Sequence, residues 1–281
     1  MRVGDLEVHA LLDGHFALDG GAMFGVVPRV LWQKKHPPDE HNRVRLALRT
    51  LLVRGAGRVL LVDTGIGGKW AARHRETYGI EPGTPALDAS LATHGLTKAD
   101  VTDVVVTHLH FDHAGGATHE LPDGTLEPSF PHARFHIQRA NWEWATNPND
   151  REKASYLRAN FEPLHASGRV RLLDGPAVLW PGVSVLVSNG HTRGQQLVKV
   201  EGGGRTVLFP GDLVPTASHL RTAWTMAYDI EPLTLMEEKV RLLTEAATGA
   251  WVICFEHDAN IEACTVRPEP GGFAVAERVT L

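Results

Sequence analysis

Thr107-His108-Leu109-His110-Phe111-Asp112-His113-Ala114-Gly115-Gly116 is the stretch that decides how this chain folds. It follows directly on Val101 to Val106, a β-branched run with the pattern of a strand buried on both faces. His108 and His110 alternate as a strand end requires, so both rings project to one side. The turn that follows brings Asp112 and His113 towards the same space. Imidazole and carboxylate together suit zinc and other borderline divalent cations. In a chain with 16 histidines among 281 residues, three at these offsets arise by chance only about 0.05 times. The run is read as a metal-ligand loop at the end of a buried strand.

Working outward, three more candidate ligands sit where a strand has just ended. They are His191 in Asn189-Gly190-His191-Thr192, Asp212 in Pro210-Gly211-Asp212, and His257 in Phe255-Glu256-His257-Asp258. Strand ends are favoured places for functional groups, because a rigid scaffold fixes the loops there. Upstream, Leu46 to Val53 and Arg58 to Asp63 flank the glycine-containing turn at 54–57 and read as a β-hairpin. Asp63 opens a polar, glycine-rich exit, with helices expected at Trp70 to Tyr78 and Leu87 to Thr93.

Phe135 to Gln138 reads as a short strand. Val183 to Ser188, Gln196 to Glu201 and Thr206 to Phe209 follow as strands, and Trp251 to Phe255 as the last buried one. A helix is expected over Leu233 to Ala247, with Leu235, Met236, Val240, Leu242 and Leu243 on its apolar side and Glu237, Glu238, Lys239 and Arg241 on its polar side. Two β-rich halves with interspersed helices and no linker predict a single α/β domain spanning 1–281, most simply two facing sheets covered by helices.

Composition narrows the function. Hydrophobic residues make up 43% and charged residues 22% of the chain, as in an ordinary globular protein. A net charge of −5 without a basic run leaves no electrostatic footprint for nucleic acid or an anionic membrane. The N-terminus meets Asp5 and Glu7 before any apolar run, which does not fit a signal peptide, and no stretch approaches the ~18 apolar residues of a membrane span. A cytoplasmic location is the resulting expectation. Cys254 and Cys264 are too few for a disulfide framework and read as buried small hydrophobes.

The series His-x-His-x-Asp-His, Gly-His-Thr, Gly-Asp and a late His, running from about Leu46 to Asp258, resembles the signature of the metallo-β-lactamase superfamily. The resemblance implies an αββα sandwich of two facing mixed sheets flanked by helices, with metals at the rim between the sheets. It implies that His108, His110 and His191 hold one metal ion, that Asp112, His113 and His257 hold the other, and that Asp212 bridges them. Asp63, in Val-Asp-Thr-Gly, is similar to the family residue that orients a ligand histidine. The implied cofactor is a pair of divalent ions, zinc first, with manganese, iron or cobalt as alternatives. The implied chemistry is hydrolysis by an activated bridging water, with Asp112 and Asp212 as the catalytic carboxylates.

Within the superfamily the chain resembles lactonases and methyl-parathion-hydrolase-like enzymes. His110 stands where the flavodiiron branch has Glu, and Asp212 stands where many β-lactamases have Cys or Ser. N-acyl homoserine lactonases share His-Leu-His-Phe-Asp-His-Ala-Gly but carry a tyrosine three residues after the bridging Asp, where this chain has Pro215. A lactone or carboxylic ester is the expected substrate, with phosphotriester or thioester cleavage as alternatives and mono-iron dioxygenase chemistry as a rival from another class. Met23, Phe24, Trp32, Phe111, Trp224 and Met226 are the candidate apolar contacts for such a substrate. Residues 20–45, rich in Pro28, Pro37 and Pro38, are expected to form an irregular lid or a homodimer arm.

Overall fold

A computed structural model describes residues 1–281. Its first sheet takes strands β1 (Arg2–Val3), β2 (Leu6–Asp19), β3 (Arg43–Gly55), β4 (Arg58–Val62) and β5 (Asp103–Val105). A small hairpin of β6 (Thr118–Glu120) and β7 (Leu126–Pro128) intervenes, and β8 (Arg134–Gln138) and β9 (Val170–Leu173) complete the order β1-β2-β3-β4-β5-β8-β9. The second sheet runs in chain order through β10 (Ala177–Trp180), β11 (Val183–Ser188), β12 (Gln195–Gly202), β13 (Arg205–Phe209), β14 (Val252–Cys254), β15 (Ala263–Glu269) and β16 (Gly272–Val279). Both sheets are mixed. Hairpins make the antiparallel pairs, whereas β4/β5, β5/β8, β8/β9 and β13/β14 are parallel and reached by crossovers.

Period-two patterning sorts the side chains into layers. Leu51, Val53, Leu60 and Val62 point inward to meet Val198, Val200, Val207 and Phe209 of the other sheet, forming the central layer. Their neighbours Leu52 and Leu61 point outward, under the helices Leu87–Ala92 and Glu162–Ala166. Leu208 and Ile253 point outward beneath Pro232–Thr248, which contributes Leu235, Leu242, Leu243 and Ala246. The result is an αββα sandwich.

Two expectations are corrected. Residues 20–45 are not irregular throughout: Gly20–Phe24 and Arg29–Trp32 are helical turns between turns and coil, and Met23, Phe24 and Trp32 are buried in a rim cluster with Phe16, Val44, Leu46 and Phe111. The proline-rich composition had hidden an anchoring face of large apolar side chains. On the long helix, Lys239 lies in the core at 0% exposure while Val240 is 39% exposed. Burial of the lysine is possible because its Nζ donates to the carbonyls of Trp224 (2.7 Å), Thr222 and Arg221 (both 3.4 Å). Beyond His257 the chain forms β15 and β16, which pair in a long hairpin and close the second sheet.

No helix is long and apolar enough to cross a membrane. The motif loop leaves β5 at one end of the sandwich, and the Asp63, His191, Asp212 and His257 loops leave β4, β11, β13 and β14 at that same end. Close backbone approach is required there. A Cβ on Gly116 would stand 2.1 Å from the carbonyl oxygen of Thr64, so only glycine allows the motif loop to lie against the Asp63 turn.

Candidate metal centre

The five histidines and two aspartates converge, all buried. Nδ1 of His110 lies 3.0 Å from Nε2 of His108 and 3.2 Å from Nε2 of His191. Nε2 of His257 lies 3.4 Å from Nε2 of His113, and Oδ2 of Asp112 stands 3.6 Å from the His257 nitrogen and 3.8 Å from the His113 nitrogen. Asp212 joins the groups: Oδ2 is 3.3 Å from His191 Nε2 and 3.6 Å from His113 Nε2, while Oδ1 is 3.2 Å from His257 Nε2.

The opposite ring nitrogens decide what these facing atoms can be. His191 Nδ1 donates to Asp229 Oδ1 at 2.9 Å, and His257 Nδ1 donates to the Ala47 carbonyl at 2.9 Å. His113 Nδ1 lies 3.1 Å from Asp63 Oδ2 and 3.0 Å from Glu256 Oε1, and His108 Nδ1 lies 3.1 Å from Thr107 Oγ1. With its proton on the anchored side, each neutral ring turns a bare lone pair inward. Lone pairs and carboxylate oxygens that face one another within 4 Å fit a cation placed between them. Two ligand triads, His108/His110/His191 and Asp112/His113/His257, fit two such ions, with Asp212 between them.

The electrostatics of these side chains says the same. Burial holds the imidazolium forms of His108 and His110 down. Burial also opposes charge on His257, but Asp212, Glu256 and Asp112 together outweigh it and carry the pKa up to about 9. His113 is likewise pushed well above its usual value by Glu256, Asp112 and Asp212, against burial. Asp212 is buried too, yet His257, His191 and His113 hold it well below the carboxylate range. The pocket thus favours positive charge.

Asp63 stands at the end of β4, behind His113. Its carboxylate accepts from the Thr107 amide and hydroxyl, both at 2.6 Å, and reaches His113. The sequence reading missed three further acids. Asp229 anchors His191. Glu256, pushed up to about 8 by burial, shares the His113 nitrogen with Asp63. Glu152 approaches the otherwise unpartnered Nε2 of His110 at 3.7 Å and accepts from Thr192 Oγ1 (2.8 Å), Trp144 Nε1 (2.6 Å) and Asn149 Nδ2 (2.9 Å). Glu256 had a signal, its place beside His257; Asp229 and Glu152 lie 38 and 42 residues from their histidines, and no local pattern marks them.

Above the ligands opens a cavity of about 380 Å³, half of whose lining residues are hydrophobic. Met23, Phe111 and Met226 line it, together with Leu18, Tyr78 and Tyr228. Phe24, Trp32 and Trp224 do not. Phe24 is fully buried, stacked at 5.2 Å on both Trp32 and His219, and Trp224 meets its edge at 5.8 Å, so these rings form the wall's backing. Arg151 fastens one side of the mouth by donating to the carbonyls of Ala227 and Asp229.

Comparison with known proteins places this geometry in context. The family model described as Metallo-beta-lactamase superfamily matches residues 49–257. A probable metallo-hydrolase of Mycobacterium tuberculosis is 28% identical over 230 residues, covering 68% of this chain and 66% of that protein. An N-acyl homoserine lactonase of a Bacillus species is 29% identical over 178 residues, 62% of this chain and 63% of the lactonase. The chain thus spans slightly less than two thirds of the length of these curated relatives. Among solved structures, a probable metal-dependent hydrolase from Staphylococcus aureus superposes with a TM-score of 0.91 at 31% identity, over 100% of this chain and 99% of the other.

Proposed function

Since this chain belongs to the metallo-β-lactamase superfamily, we propose that it is a binuclear metal-dependent hydrolase of uncharged ester-like substrates, with lactones and carboxylic esters foremost. The observation that carries this reading is the pair of ligand triads sharing Asp212 on the floor of a half-apolar cavity. Two divalent ions, zinc by the donor set, supply when bound a water acidified towards pKa ~7 and a Lewis acid for the substrate oxygen.

The chain does the rest. His108, His110, His191, His113 and His257 would hold the ions, because each ring is anchored or approached from behind by Thr107, Glu152, Asp229, Asp63 or the Ala47 carbonyl. Asp112, on the cavity floor, orients the attacking water and accepts its proton, passing it to the leaving oxygen. Leu18, Met23, Phe111 and Met226 take the apolar part of the substrate and keep bulk water out. The Bacillus relative, a lactonase by name, favours lactones within this class.

The test is a panel of lactones, aryl esters, phosphotriesters, thioesters and a β-lactam, assayed on protein of quantified metal content. Chelator-reversible lactone or ester cleavage with two ions per chain is expected. A single iron with no hydrolysis would replace this reading with dioxygenase chemistry. A homodimer is proposed as well, through Val26, Val30 and Leu31, which are 86%, 62% and 50% exposed on the outer side of the 20–45 segment. Light scattering on the intact protein checks it.

A further inference from the structure

A second cavity, of about 720 Å³, opens away from the one above the ligands and shares no lining residue with it. It lies between the segment that follows Arg29–Trp32, the turn Ala217–Leu220 and the β15/β16 hairpin. Hydrogen bonds to the backbone hold its walls in place. Asp258 accepts from the amides of Ala217 (3.0 Å), Asn260 (2.9 Å) and Ile261 (2.8 Å), which staples the loop after His257 to the turn. The Thr222 amide donates to the Gly271 carbonyl at 3.0 Å, and Arg221 pairs with Gly272, so the turn is also tied to the tip of the hairpin. His36 and Ser218, 8% and 5% exposed, line the cavity as buried polar side chains joined Nε2 to Oγ at 2.9 Å.

Charge is unevenly partnered here. Lys35, Arg221 and Arg278 line the cavity, and none has a carboxylate oxygen within 4.0 Å. The two acids of the same lining are already engaged, Asp258 by its three amides and Glu269 by Arg267 at 3.8 Å. Three cations around one concavity raise a positive potential that an anion relieves, and a guanidinium meets a carboxylate through two parallel N–H donors. The hydroxyl of Ser218 and the ring of His36 add hydrogen-bonding groups to the wall. Ile261, Phe273 and Val275 line the cavity as well and offer contact to an apolar group. Cations beside an apolar wall, in a cavity whose sides are already fixed, fit an amphipathic anion better than a bare inorganic one.

We propose that this cavity is a binding site, separate from the metal centre, for an organic monoanion that carries a carboxylate on an apolar tail. Arg221 and Arg278 meet the carboxylate, and Phe273 and Val275 take the tail. The site binds and does no chemistry.

The experiment is a calorimetric titration of the full chain, metal-loaded and chelated, with phenylpropionate, phenylpropanol and acetate. The three probes carry charge and tail together, tail alone and charge alone. Wild type, Arg221→Gln, Arg278→Gln and, as a control on the first sheet, Arg171→Gln are compared, with Tm measured on each. Saturable binding of phenylpropionate at one per chain is expected, tighter than that of either other probe and retained after chelation. Arg221→Gln and Arg278→Gln should each weaken it by about tenfold, and Arg171→Gln should leave it unchanged. Both arginines are exposed and lie on separate segments, so a folding defect in one variant leaves the other to decide. Absence of saturable binding to wild type, or affinity unchanged in both arginine variants, overturns the site. Phenylpropanol or acetate binding as tightly as phenylpropionate overturns the ligand class. Affinity that disappears on chelation and is indifferent to both arginines puts the acid on the metal centre and overturns the second site. None of these readouts involves turnover, so the hydrolytic reading is tested separately.

Discussion

At the scale of single residues, the centre is organised by what stands behind each ligand. Asp212 is surrounded by the inward nitrogens of His191, His257 and His113 at 3.2–3.6 Å, so one carboxylate balances charge for both triads. On the proposed binuclear reading, removing it would leave two ion sites without their shared ligand, and removing His110 would open one triad. His110→Ala and Asp212→Ala are each expected to lower turnover by about 10²-fold or more, through a lost ion or a displaced water. Steady-state kinetics with metal analysis checks this; near-wild-type turnover in both variants would contradict the assigned roles.

At the scale of elements, two segments do work that their composition concealed. The stretch around Gly20–Phe24 and Arg29–Trp32 is held down by Trp32, 2% exposed and stacked on Phe24. Trp32→Ala is expected to destabilise the protein by about 3–5 kcal/mol, the usual cost of emptying a buried tryptophan site. Denaturant titration would show this, whereas unchanged stability with an altered KM would favour a mobile lid.

The helix Pro232–Thr248 reaches into the site from its far side. Glu238 accepts from Ser188 Oγ (2.6 Å) and from the amides of Asn189 and Gly190, fixing the loop that carries His191. Lys239 ties down the 221–224 carbonyls, ahead of the loop that supplies Met226 and Tyr228. Burial lowers the Lys239 pKa from 10.5 to about 8. Between those values the unfolded chain binds the proton that the folded chain has released, so this residue contributes stability as pH rises from about 8 to 10.5. Lys239→Met should therefore flatten the rise across that window while costing about 1–3 kcal/mol for the carbonyls left unpaired. Unfolding free energies of both proteins at pH 7.5 and 10 decide it; parallel curves would mean that the amine is not buried in solution.

At the scale of the whole molecule, the site is a seam. Its ligands come from loops of both sheets, so ions bound there cross-link the two halves of the sandwich. Chelation is expected to lower Tm, since whatever binds only the folded state stabilises it. The pH dependence follows from His257, whose pKa of about 9 among its carboxylate neighbours means that an ion binding there would displace a proton at neutral pH. Ion affinity should fall as pH drops, and the Tm difference between loaded and chelated protein should shrink from pH 8 to pH 5.5. Calorimetric melts at the two pH values measure it; a difference that grows towards acid pH would exclude the proposed ligand set.

The sequence by itself determined the ligand loop, the strands at 183–209, the long helix and the fold class, because these are written in local patterns: histidine spacing, alternation and helical period. It did not disclose β2, where a bulge between Leu12 and Gly14 breaks the alternation, nor β15 and β16, whose faces are half exposed. Only the tertiary structure decided which acids serve the histidines, which aromatics reach the cavity, and that Lys239 is buried. Those facts depend on distances between segments far apart in the chain, and side-chain chemistry becomes specific only once folding sets which groups share a desolvated space.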